Sequence, residues 1–138
     1  MKDYIINECG VCQNPDVVLE YNVKGKPIDK VKCKVELMEC PDGYLSGHAY
    51  DTFFGSCMGT FSPVSIHVPK KSKDECIKYE LESIKDTVEQ ALKEEQQGSY
   101  DYETGKIRVS KVNVKLLQDT LQWINQHLGP RQLTLFDI

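Results

Sequence analysis

Two thiols separated by two residues, in Cys9-Gly10-Val11-Cys12, have the spacing with which a chain offers a tetrahedral metal two of its ligands. A structural zinc site needs two more. No second pair at similar spacing follows, and Cys33, Cys40, Cys57, Cys76, His48 and His67 are scattered singly along the chain. A redox C-x-x-C would be expected beside a strand-helix-strand unit, and that pattern is missing. The expectation is two incidental thiols, with neither a metal nor a cofactor.

Cys57 lies in a glycine-flanked stretch with His48, Asp51 and His67 nearby in sequence, so a Cys-His-Asp set can be written down. Such sets are defined by space rather than sequence proximity. Three histidines in the whole chain leave little material for acid–base work. Gly55 to Gly59 lacks the Gly-Lys-Ser/Thr ending of a phosphate loop and reads as a hairpin turn. The carboxylates Glu80, Glu82, Asp86, Glu89, Glu94 and Glu95 fall largely off an apolar helical stripe and read as a solvated face. No catalytic residue is assigned, and a binding protein is expected over an enzyme. The alternative is a small cysteine-dependent enzyme or metal-binding protein using Cys9 and Cys12, or Cys57.

The most informative residues lie at the other end. After Gly129-Pro130 come Gln132, Leu133, Thr134, Leu135 and Phe136. A short exposed peptide with three large apolar side chains is better suited to a partner's pocket than to its own core. These five residues resemble the motif by which bacterial proteins bind the ring-shaped DNA sliding clamp, usually glutamine, leucine, serine or aspartate, leucine, phenylalanine. The resemblance implies that Gln132 is the polar anchor, Leu133 and Thr134 the connecting pair, and Leu135 with Phe136 the hydrophobic plug. Thr134 departs from the commoner serine or aspartate, keeping the hydroxyl and adding a methyl. The resemblance further implies a replication-associated protein, and the layout of a glycine-punctuated aromatic hairpin, a Pro-containing strand and a capped amphipathic helix is loosely similar to small phage and plasmid (mobile-element) proteins that end in such peptides. The competing reading packs Leu133, Leu135 and Phe136 on the chain's own domain, as an edge strand.

Composition narrows the partners. Seventeen basic and twenty-one acidic residues give a net charge of −4, which argues for weak or no direct nucleic-acid binding. Neither an export signal nor a membrane-spanning stretch is recognisable, so a cytoplasmic protein with reduced thiols and no membrane partner is expected.

Any site must be positioned by elements that the patterning predicts. Val17, Leu19, Tyr21 and Val23 alternate with more polar neighbours, as do Val31, Cys33, Val35 and Leu37 with Lys32, Lys34 and Glu36. Cys40-Pro41-Asp42-Gly43 is a turn, a third strand runs from Tyr44 to about Phe53, and a fourth covers Thr60 to Val68, which Pro63 restricts to an edge or breaks into two short pieces. Ser72 and Glu75 fit a capping box. Ile77, Leu81, Ile84, Val88 and Ala91 then line one face of a helix that Gly98 stops. A polar linker over 99–106 and an extended piece at Ile107 and Val109 follow. Val114, Leu117, Leu121, Ile124 and Leu128 define a second helix, ended by Gly129-Pro130. The expected fold is α+β: an antiparallel sheet of three to four strands, then two amphipathic helices packed on one face. Residues 1–129 make a single domain and 130–138 a flexible tail.

Overall fold

The computed structural model describes residues 3–23, 30–57, 69–70 and 72–129. The expected fourth strand at 60–68 and the tail at 130–138 lie outside the described residues. The fold is α+β, a four-stranded antiparallel sheet followed by two helices. The sheet is a meander of β1 (Asp16–Val23), β2 (Val31–Cys40), β3 (Gly43–Thr52) and β4 (Gly55–Cys57), paired in chain order. After it come α1 (Lys73–Gln97), a small ribbon of β5 (Ser99–Asp101) and β6 (Lys106–Arg108), and α2 (Lys111–Leu128). The chain forms two compact units, Met1–Ile84 and Lys85–Ile138, whose boundary falls inside α1. No helix among the described residues is long and apolar enough to cross a membrane.

In the first unit, the two-residue period of β2 turns Val31, Cys33, Val35 and Leu37 to one face, where all four are buried. Antiparallel register sets Thr52, Tyr50, His48 and Ser46 of β3 opposite them. The β2–β3 turn is as tight as Pro41-Asp42 predicts, since Cys40 pairs directly with Gly43. Gly43 is required there. Its φ is +145°, and a Cβ would collide with the Lys70 carbonyl oxygen, which accepts the Tyr44 amide at 2.7 Å while Lys70 donates back to Tyr44 at 2.9 Å. On the other face, Cys12, Met38 and Leu45 form a smaller cluster with Tyr4 and Cys40 packed against it. The N-terminal segment therefore folds under the sheet.

Three features differ from expectation, each for a local reason. Alternation in β1 fails at its start, because a bulge between Val17 and Leu19 shifts the register and leaves Val17 and Val18 exposed. Gly55 opens β4 instead of a turn. The turn sits at Phe53 and Phe54, where the Thr52 hydroxyl donates to the Gly55 carbonyl at 2.6 Å and accepts the Phe54 amide at 3.2 Å. The polar linker after α1 is a hairpin, with Tyr100 paired to Ile107, and α2 starts three residues earlier than its apolar stripe. Ser110 caps it by accepting the Asn113 amide at 3.2 Å. At the start of α1, Ser72 accepts the amides of Asp74 and Glu75 at 3.1 and 3.4 Å, the serine half of the predicted capping box. Gly98 ends α1 with φ +75°, donating to the carbonyls of Glu94 and Glu95.

Candidate functional site

Within the first unit the polar side chains that come together are Ser46, His48, Cys76 and Glu80. The juxtaposition follows from two periodicities. Ser46 and His48 are two apart on β3 and share a face. Cys76 and Glu80 are four apart on α1 and lie one turn from each other along the helix. Glu80 Oε2 stands 2.5 Å from His48 Nδ1, and Glu80 Oε1 accepts the Ser46 hydroxyl at 3.0 Å. Both members of the His48–Glu80 pair are buried, at 8% and 4% exposure. A carboxylate partner puts the imidazole proton on Nδ1 and fixes the ring's orientation.

The neighbouring Cys76 thiol is fully buried and donates to the Tyr44 carbonyl at 3.6 Å. Burial pushes its pKa up; the Ser46 hydrogen bond and Lys70 pull it down, and the charges of Glu80 and Glu75 raise it again. A thiol held protonated is a poor nucleophile. The Ser46 hydroxyl, meanwhile, is committed to the carboxylate rather than to the imidazole, so the order of contacts is not that of a nucleophile activated by histidine. What this arrangement does chemically is hold one imidazole and one carboxylate out of water in a fixed geometry, joining β3 to the first half of α1.

No family model, curated protein or solved structure matches this chain. Its site must be read from its own residues.

The residues singled out by sequence disperse. Register places Cys57 opposite Tyr50 and Asp51 opposite Ser56, so Asp51 leaves the sheet on the face away from His48, where it binds Lys30 at 2.6 Å. Cys57, His48 and Asp51 are thus not one set, and His67 lies outside the described residues. Cys9 is exposed while Cys12 is buried against Met38 and Leu45. Asn7 organises their turn, its Oδ1 accepting the amides of Cys9 at 2.9 Å and Val11 at 3.0 Å. Among the described residues no group of three or more histidine, cysteine, aspartate or glutamate side chains is placed to hold a metal ion. Cys33 sits in the sheet core, and burial pushes its thiol up to about 12. Gln132, Leu133, Thr134, Leu135 and Phe136 lie outside the described residues.

Glu80 is the residue that sequence reasoning misplaced. It was expected on a solvated face, yet it is among the most buried side chains of α1. The available signal was its four-residue spacing from Cys76, a second inward line beside Ile77 and Leu81. His48 two residues after Ser46 was the matching signal on β3.

Proposed function

We propose that this chain is a non-enzymatic binding protein that docks on the bacterial DNA sliding clamp through Gln132 to Phe136. The observation that carries this reading is the run Gln132-Leu133-Thr134-Leu135-Phe136. It is supported by the end of α2 at Leu128, before the motif begins, with Gly129 as the cap.

The affinity of such a peptide is a difference of opposing terms. Burying a Leu or Phe side chain is worth about 1.5–3 kcal/mol, and ordering a free backbone takes back about 1–2 kcal/mol per residue. Micromolar binding is the expected result. Phe136, as the aromatic anchor, contributes most. A clamp partner entails a cytoplasmic location and a role in replication, of the kind a phage or mobile element uses to recruit or occupy the host clamp.

Isothermal titration of a purified bacterial clamp with the full chain, with a chain lacking residues 132–138, and with Phe136→Ala tests the proposal. Saturable heat from the full chain, lost on truncation and weakened at least about tenfold by Phe136→Ala, is expected. Equal heats from all three proteins would exclude the motif as a docking element.

A further inference from the structure

Three thiols gather at one end of the four-stranded sheet. The N-terminal hairpin pairs Ile6 with Cys12, and its tip is closed by bonds of 2.9 Å from the Asn7 amide to the Val11 carbonyl and from the Gly10 amide to the Asn7 carbonyl. Cys9 sits exposed at that tip, while Cys12 reaches inward and is only 5% exposed. The Tyr4 hydroxyl fastens the hairpin to β2 by accepting the Glu39 amide at 3.0 Å. Cys40 follows Met38 by two residues, so both side chains leave one face of β2, and Cys40 packs on the cluster that Cys12 makes with Met38 and Leu45. Both inner thiols make long, weak hydrogen bonds, Cys12 to Asn14 Oδ1 at 3.8 Å and Cys40 to the Met38 carbonyl at 3.9 Å. Burial pushes the Cys40 thiol above its ordinary range, and the charges of Asp42 and Cys12 raise it further against a Leu45 backbone hydrogen bond. One thiol acts on the other in this way only when the two are near neighbours.

We infer that Cys9, Cys12 and Cys40 form a thiol–disulfide exchange site that takes a low-molecular-weight disulfide of the glutathione type and ends as a Cys12–Cys40 disulfide. The Cys9 thiolate attacks one sulfur of the external disulfide, forming a mixed disulfide and releasing one small thiol. Cys12, three residues on, attacks the Cys9 sulfur and releases the second small thiol. Cys40 then attacks Cys12 and returns Cys9 as a free thiol. In sum, two protein thiols become a disulfide as the external disulfide becomes two thiols. The three side chains do not converge on one point and are not placed to hold a metal ion, whereas exchange needs only two sulfurs to meet at a time. The product ties the N-terminal hairpin covalently to the end of β2, and in a reducing compartment such a bond is transient and reports the redox state. This chemistry goes beyond clamp docking and does not depend on it.

The test incubates the full chain, reduced and freed of reductant, with about 1 mM oxidised glutathione at about pH 8 without oxygen. Iodoacetamide in denaturant stops the exchange, and intact mass and peptide mapping read the products. The expected product links Cys12 to Cys40 with Cys9 alkylated, reverts in excess reduced glutathione, and melts about 5–10 °C above the reduced protein. Cys9→Ser slows its formation at least about tenfold without changing the link, because the external disulfide must then reach a buried sulfur. Cys40→Ser stops the sequence at a Cys9–Cys12 disulfide or at glutathionylated Cys9, and Cys57→Ser changes nothing. Far-UV circular dichroism checks that each variant is folded, and the mapping of the parent chain needs no variant. The inference is overturned if Cys9 carries glutathione while Cys12 and Cys40 are both still alkylated, if disulfides form only between molecules, or if the link appears equally fast in Cys9→Ser. Stoichiometric zinc in the reduced protein that blocks oxidation also overturns it.

Discussion

Cys33 shows how one buried side chain carries a measurable consequence. It points inward from the middle of β2 and has no exposed surface, so the thiolate is strongly disfavoured and its pKa moves from an ordinary value near 9 to about 12. Below pH 9 the thiol is protonated in both folded and unfolded chains, and its ionisation does not bear on stability. Between about 9 and 12 the unfolded chain gives up this proton and the folded chain keeps it. Stability therefore falls as pH rises through that window, by up to about 1.4 kcal/mol per pH unit from this group. Cys33→Ala lowers the baseline by shrinking a core side chain, but it removes this slope. Urea denaturation of both proteins between about pH 8 and pH 10.5 should give a shallower decline for the variant; parallel declines would mean that Cys33 ionises as easily inside as outside.

At the scale of elements, the tie between β3 and α1 rests on Glu80. Its two oxygens answer donors from Ser46 and His48 on the facing strand, in a setting where an unpaired polar group is costly. Glu80→Ala abandons both partners at once and is expected to cost about 2–4 kcal/mol. Glu80→Gln retains a side-chain oxygen and the packing, and should cost roughly half as much. A double-mutant cycle with Ser46→Ala isolates their coupling, expected at about 1 kcal/mol. Chemical denaturation measures all of these. If Glu80→Ala fell within about 0.5 kcal/mol of the parent, the contacts would be no better than those to water. The helix ends matter too. Ser72 and Ser110 supply side-chain oxygens to the amides opening α1 and α2, and the Ser110 cap is what lets α2 begin before its first inward residue.

For the molecule as a whole, the proposed clamp contact is weak and rests on one short segment, Gln132 to Phe136. A net charge of −4 gives the chain little general attraction to polyphosphate. Because the proposed contact is apolar, clamp affinity should change by less than about threefold between about 50 and 200 mM salt. Titration calorimetry at both salt concentrations reads this, and a steep loss at the higher one would mean that charge, not the Leu135 and Phe136 side chains, holds the complex together.

Much of the architecture was legible residue by residue. Val31, Cys33, Val35 and Leu37 had to share a face because a strand's side chains alternate, and Ile84 and Val88 had to point inward because a helix repeats every 3.6 residues. Ser72 and Gly98 marked the ends of α1 through backbone chemistry local to those positions. The site residues were less legible. The four-residue spacing of Glu80 from Cys76 hints at an inward line that Glu82 and Glu89 lack, but only the approach of β3 supplies the two donors that make its burial tolerable. The same holds for His48, whose nearest carboxylate in sequence, Asp51, leaves the other face of the strand. Periodicity and capping act over a few residues and can be read along the chain. The pairing of Glu80 with His48 spans thirty-two residues and exists because a helix and a strand meet, which no local pattern encodes.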